Sequence, residues 1–583
     1  MRGYLQQVGG KLVGRRGRQA ALTSLVATAL YLLTMDRSAS WWDCGEFIAT
    51  GYLLQVGHPP GAPFYQLLQH CFTFLSFGNP MLVAPLSNAL SAVAAGVTVG
   101  ILYLTMRELN IGWRGALVGS ACYMLCDTVW FSAVESEVYA LAMLFCAADV
   151  WLMLRWRRTS DARLLPLVAL LLGLGVCVHL MTLLVLPALM LIFFKVKPHP
   201  GPLLKERGAF RFSLFIFLFF LIGLTPYLII PLRAAADPPI NEMRGSFESY
   251  IKREQYAKAP LYPRMWRDRD REHWSEWTFS DHGVAANAAY YLTYQLGYMY
   301  GRYLMYNFIG RENEKWGCIV ISLLPALLAL WGLFRHRRRD RWGFWFVMAL
   351  FLMGGIVLNF YLNHPCYEPR SRDYVYVLSF YAVAIWIGVG TEELITSHPS
   401  LFTNHYSLFT ILVFLAPLTL LVGNWSDHDR SHCHSVHDIA LNHLQSCDHG
   451  AVLITLGDND TFPLWYLQQV EHRRTDVDIY NIGLTGFGNT MVVINQNLGQ
   501  RPVYLSQYFV DRYEALFQGR LRCEGFCWRL LPSQEGVDDI EPLQRHLRDS
   551  IEWHITQNEY LPRVSRNFIR DWERNTSYPV PIR

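Results

Sequence analysis

The chain has 583 residues, 52% of them hydrophobic and 14% aromatic, with 17% charged and a net charge of +4. Its apolar residues gather in long runs rather than amphipathic stripes, the pattern of a polytopic membrane protein rather than a soluble one. The slight positive excess is confined to short loops, so no nucleic-acid partner is expected. At the start, Lys11, Arg15, Arg16 and Arg18 precede an apolar run from about Ala20 to Met35. Ser38-Ala39-Ser40 resembles a signal-peptide cleavage site, but cleavage there would leave a new terminus beside Asp43, so a retained first helix is expected. The positive-inside rule then puts the N-terminus in the cytoplasm and the next segment outside.

That next segment, Trp41 to Gln66, reads WWDCGEFIATGYLLQVGHPPGAPFYQ. Asp43 and Glu46 stand three residues apart, so in a helix both carboxylates share one face and can bind or deprotonate something together. Pro59, Pro60 and Pro63 fix φ while Gly57 and Gly61 permit tight bends, which holds His58 at a set place beside the helix. A capping box explains the same letters: Ser40 as N-cap and Asp43 three residues on would make Asp43 structural, and local pattern leaves the two readings level.

Further apolar spans are expected at 81–106, 114–133, 138–155, 164–179, 182–196, 212–232, 316–334, 343–362, 374–390 and 406–423. With the first they make about eleven crossings and put the C-terminus outside. Arginine and lysine follow that alternation, with Arg107 and Arg114, Arg155 to Arg163, Lys195 to Arg211 (including Lys197 and Lys205) and Arg335 to Arg341 in inner loops. The loop 391–405 departs from it, with Glu392 and Glu393 and no basic residue. The expected fold class is therefore mainly α: a transmembrane domain at 1–423, with outer loops 36–80 and 233–315, and a small α/β domain outside at 424–583. Within 233–315, Tyr290 to Phe308 is too polar to face lipid and suits the membrane interface. In the outer domain, AVLITL (451–456) reads as a strand, GDND as a plain turn, Pro463 to Val470 as a helix and Val477 to Ile482 as a second strand. The domain is expected to position acceptors rather than perform chemistry. Cys523 and Cys527 are the pair that spacing favours for a disulfide, and the histidines between Asp427 and His449 show no regular zinc spacing.

The ionisable residues at span ends collect on the outer side: Glu135 and Glu137, His179, Arg233 and Asp237, then Glu368, Arg370, Arg372 and Asp373. Acids from one loop facing arginines from another suit a base beside a phosphate, because the guanidinium fork matches phosphate oxygens.

WWDCGEFIATGYLLQVGHPPGAPFYQLL, SEVYAL, RAAADPP, IKREQY, RSRDYVYVLSFYA, WSDHDRS and GDNDTFPLWYLQQVEHRRTDVDIYN together resemble a bacterial family of multi-spanning proteins, formerly of unknown function. Its animal relative is an endoplasmic-reticulum O-mannosyltransferase acting on IPT domains of plexin-type receptors. The likeness runs from about Asp36 to Tyr504. It implies a glycosyltransferase of GT-C type, with a polyprenyl-phosphate sugar as donor and an acid in the first outer loop. The matching residues are Asp43, Glu46, His58, Glu137 and Arg372. Asn241-Glu242-Met243 departs from the expected Asp/Asn-Trp-Gly, and 483–489 is shorter than in relatives.

On this reading Asp43 takes the proton of a Ser or Thr hydroxyl on an exported protein, a contribution of roughly 10²–10⁴-fold. Glu46 orients Asp43 or the acceptor, and Arg372 binds the donor phosphate, with His58, Glu137, His179, Arg233 and Arg370 as further substrate contacts. No cofactor or metal is expected, although Asp43, Glu46 and Glu137 also suit a divalent cation. Membrane lipid and a bacterial inner-membrane location complete the expectation. The alternative is a transporter or lipid-sugar carrier with an intramembrane acidic site, against which stands the lack of an internal repeat.

Overall fold

The computed structural model describes residues 14–195, 206–256, 258–278, 280–310, 312–313, 317–318, 323–367, 370–397, 408–517, 519–534, 551–557, 559, 561–576 and 578–581. Lys11, Lys197, Lys205, Glu368, the start of the expected span at 316–334 and residues 398–405 lie outside the described residues. The chain is mainly helical, with a five-stranded sheet toward its C-terminus.

Among the described residues four helices are long and apolar enough to cross a membrane: Pro80–Glu108, Val138–Thr159, Arg341–Leu362 and Asp373–Ser397. Two bent pairs raise the number to six, Trp113–Leu125 with Asp127–Ala133 at 64° and Ser213–Gly223 with Thr225–Ala234 at 41°. Leu164–Val176 and Leu180–Phe194 are apolar but shorter. Length and apolarity thus support four to six crossings and do not establish the eleven expected. The run at 114–133 shows the physical reason, since it breaks where Asp127 opens a new helix.

The helix Val377–Ser397 is buried on nearly every side, as a helix apolar all round should be. It packs backbone to backbone on Leu324–Arg339: a Cβ on Gly332 would lie 1.8 Å from the Trp386 carbonyl oxygen. Such close approach through small residues is how helices associate in lipid, where no hydrophobic force separates them from their solvent. At the far end of this pair Glu393 binds Arg335 at 2.9 Å and Arg339 at 3.2 Å, and Arg339 also reaches the Asn110 carbonyl at 2.7 Å. Arg158 pairs with Glu108 nearby at 2.6 Å. The acidic residue that broke the charge alternation therefore neutralises the arginines of a neighbouring loop.

At the opposite end the Tyr-rich segment forms consecutive helical pieces, Gly283–Tyr290, Tyr291–Tyr300 and Gly301–Phe308. Arg264 fixes it to the bundle through Gln295 Oε1 at 3.0 Å and the Phe360 carbonyl at 2.7 Å. The five-stranded sheet has the order 478–481, 452–455, 503–506, 527–530, 521–524, with the first three strands parallel and the last two joined antiparallel. The helix Phe462–Gln469 follows strand 452–455 across the GDND turn. Cys523 and Cys527 are both free thiols. In the antiparallel pair Cys523 stands opposite Trp528 and Glu524 opposite Cys527, so the two thiols fall on opposite faces of the sheet. The disulfide favoured by spacing is excluded by register, and the Cys527 thiol instead faces Cys447 at 3.8 Å.

Candidate active site

The helix Cys44–Leu53 begins one residue after Asp43, whose side chain makes no capping bond. Ser40 is occupied elsewhere, its hydroxyl donating to Asp36 Oδ2 at 3.0 Å. The capping box is thus absent, and the Asp43 carboxylate faces Arg370 Nη2 at 3.4 Å. That guanidinium is stacked between the rings of Trp42, 4.4 Å away, and Tyr374, 4.8 Å away. Burial alone would weaken the charge on Arg370, but Tyr374, Asp43 and Glu137 hold it firmly protonated. Asp43 retains 18% side-chain exposure.

Glu46 is fully buried one turn further on. Its Oε1 accepts the His58 main-chain N–H at 2.7 Å, and its Oε2 meets His58 Nδ1 at 2.5 Å. Both carboxylate oxygens therefore engage His58. Burial works against a charged imidazole, yet the Glu46 carboxylate outweighs it and raises the His58 pKa well above its ordinary value. The Pro/Gly corner that carries His58 is fastened from outside, Tyr250 donating to the Gly57 carbonyl at 2.6 Å. Val56 also pairs with Asn241, which brings in Glu242. Burial first, then the Glu46 charge and a hydrogen bond with it, push the Glu242 carboxyl well above the usual range. Glu137, 4% exposed, has a buried Oε2 without a hydrogen-bond partner among the described residues. Burial and then Asp43 raise its pKa well above normal.

The C-terminal region closes the site from the other side. Gly45 lies so near the helix Phe462–Gln469 that a Cβ there would be 2.6 Å from the Phe462 carbonyl oxygen. Trp41 donates through Nε1 to Ser565 Oγ at 2.8 Å and stacks on Phe568 with centroids 5.2 Å apart. The Trp42 N–H donates to Asn459 Oδ1 at 2.7 Å. Asp458 is exposed by area, but partial withdrawal from water and then the Asp43 carboxylate push its carboxyl up to about 6. Behind this layer Arg430 holds Glu135 at 2.7 Å, and burial pushes Asp36 up to about 7.

The structure therefore gathers Asp43, Glu46, His58, Glu137 and Arg370. His179 stands beside Tyr139, ring centroids 5.4 Å apart. Arg372 donates its main-chain N–H to the Tyr303 hydroxyl at 3.1 Å, and its charge acts on Tyr374. Arg233 sits apart, at the other end of the Cys44–Leu53 helix, donating to the Leu54 carbonyl at 2.6 Å and the Leu53 carbonyl at 3.4 Å. Sequence reasoning missed Glu242, Asp458 and Asn459; the only signal was the GDND letters, which read equally well as a turn. Among the described residues no three His, Cys, Asp or Glu side chains are arranged to hold a metal ion.

Two family models match the chain: the N-terminal domain of protein O-mannosyl-transferase TMEM260 over residues 43–200, and TMEM260-associated domain 2 over residues 436–488. The mouse protein O-mannosyl-transferase TMEM260 is 24% identical over 481 residues, covering 80% of this chain and 62% of that protein. Its Dictyostelium discoideum counterpart is 22% identical, covering 79% and 56%. The chain thus spans about three fifths of the length of these curated relatives. In fold it is similar to ArnT from Cupriavidus metallidurans bound to undecaprenyl phosphate, with a TM-score of 0.52 at 11% identity over 88% of this chain and 97% of that one. It is also similar to the Archaeoglobus fulgidus oligosaccharyltransferase tethered with an acceptor peptide, with a TM-score of 0.50 at 12% identity over 85% and 70%.

Proposed function

Because this chain is related to the protein O-mannosyl-transferases of the TMEM260 type, within the GT-C superfamily, we propose that it is a membrane glycosyltransferase. It moves a hexose, mannose, from a polyprenyl phosphate to a Ser or Thr hydroxyl of an exported protein. The observation that carries this reading is Asp43, an acid open to solvent and set against Arg370 amid buried acids. The acceptor oxygen attacks the anomeric carbon, the bond to the phosphate oxygen breaks, and Asp43 takes the hydroxyl proton. Glu46 is a positioning residue that acts through His58. Arg372 binds the leaving phosphate, while Arg370, 3.4 Å away, orients the Asp43 carboxylate. The ligands seen with the two structural neighbours, undecaprenyl phosphate and an acceptor peptide, support the donor and acceptor classes. The remaining details belong to the same proposal: about eleven crossings, a cytoplasmic N-terminus, the outer domain outside a bacterial inner membrane, and no required metal.

The test is incubation of purified protein with polyprenyl-phosphate mannose and a panel of exported proteins, followed by intact-mass measurement, with and without a chelator. One added hexose per transfer is expected in both conditions. Binding of the lipid-sugar without transfer to any acceptor would favour a carrier instead.

A further inference from the structure

We infer that Asn459, in the outer domain, is a positioning residue for Asp43: its side-chain oxygen holds the Trp42 main chain in the conformation from which Asp43 and Arg370 take their places. The inference rests on the proposed role of Asp43 as base. Trp42 has a φ of +63°, in the left-handed region. For a bulky residue this conformation is unfavourable and persists only where surrounding structure imposes it. What imposes it is the 2.7 Å hydrogen bond from the Trp42 N–H to Asn459 Oδ1. The indole so placed is one wall of the stack around Arg370, and the peptide that leaves Trp42 leads straight into Asp43. Relaxing φ to a negative value would swing that peptide and open the stack.

Asn459 is itself well anchored. The Asp458 carbonyl accepts the N–H groups of Thr461 at 3.1 Å and Phe462 at 2.8 Å, closing the turn. Asp460 braces it from below, accepting the Leu456 N–H at 2.9 Å and the Ser506 hydroxyl. A plain turn needs no side chain that reaches out of it, whereas Asn459 crosses to a residue 417 positions away in the chain. Gly45, pressed on the Phe462 carbonyl, keeps the two partners at that distance.

Asn459→Ala removes the acceptor, and Asn459→Asp keeps an oxygen in its place. Hydrogen exchange of the peptide containing Trp42 reports the main-chain clamp without any substrate. Steady-state transfer with polyprenyl-phosphate mannose reports its consequence. In the full chain Asn459→Ala is expected to speed exchange at Trp42 and to lower kcat by about 10-fold or more, with the donor KM within about twofold. Asn459→Asp should restore most of both. Unchanged exchange in Asn459→Ala, or faster exchange with an unchanged kcat, overturns the inference, as does an equal loss of melting temperature in both variants. A wild-type chain that transfers no hexose while exchange responds as expected refutes the proposed function, and removes the catalytic part of the role while the clamp stands.

Discussion

Gly45→Ala tests how tightly the outer domain must seat on the membrane helices. The new methyl would sit 2.6 Å from the Phe462 carbonyl oxygen and 2.8 Å from its carbon, where ordinary contact begins near 3.4 Å. The interface must therefore open by about 0.8 Å, and both partners are main chain within or beside helices, so neither can rotate aside. Overpacking of this kind costs about 1–3 kcal/mol. The larger effect falls on catalysis, because the same helix carries Glu46 and follows Asp43, while the outer domain grips Trp41 and Trp42. A displacement approaching 1 Å at a reacting group lowers turnover by up to about 10²-fold. Initial transfer rates measured beside a melting curve in detergent give the answer: a folded Gly45→Ala protein with a kcat within twofold of wild type would refute the claim that this contact sets the base.

Asp43→Asn, nearly isosteric, should slow transfer by about 10²-fold or more with donor affinity little changed; near-normal turnover would move the base to Asp458, the other acid in contact with solvent. Asp460 carries a sign that can be checked, since burial raises its carboxyl from 3.8 to about 7. Between those values the folded state binds more protons than the unfolded one, so its contribution favours folding below about pH 4 and is lost as the pH rises toward 7. Asp460→Asn should flatten that slope and raise the outer domain's melting temperature at pH 8; a slope equal to wild type would contradict it. Oxidised glutathione, added during mild unfolding, should join Cys447 to Cys527 with loss of two hydrogens, and peptide mapping that finds Cys523 joined to Cys527 would contradict the strand register.

Much of the site was legible because its parts lie close in sequence. The spacing of Asp43 and Glu46 and the rigid corner around His58 depend on local geometry, and the structure does pin His58 to the helix, although through Glu46 rather than beside it. The capping alternative could not be dismissed from letters alone, because Ser40 is diverted by Asp36, whose neighbour Arg430 lies in a distant segment. Glu242 was read as a departure from a motif; only the pairing of Val56 with Asn241 brings it to Glu46. Asn459 looked like turn chemistry, since a side chain's reach beyond its own turn leaves no trace in local sequence. Glu393 stood out from the charge alternation for the same reason, its arginine partners standing 54 and 58 residues away.

The bond from Trp41 to Ser565 joins residues 524 positions apart. Ribosomes add roughly 5–20 residues each second, so the first outer loop waits on the order of half a minute or longer for the helix Arg563–Thr576 that grips it. Throughout that interval the loop bearing Asp43 has emerged from the ribosome without its clasp. The seating of that loop is thereby a late event of biogenesis.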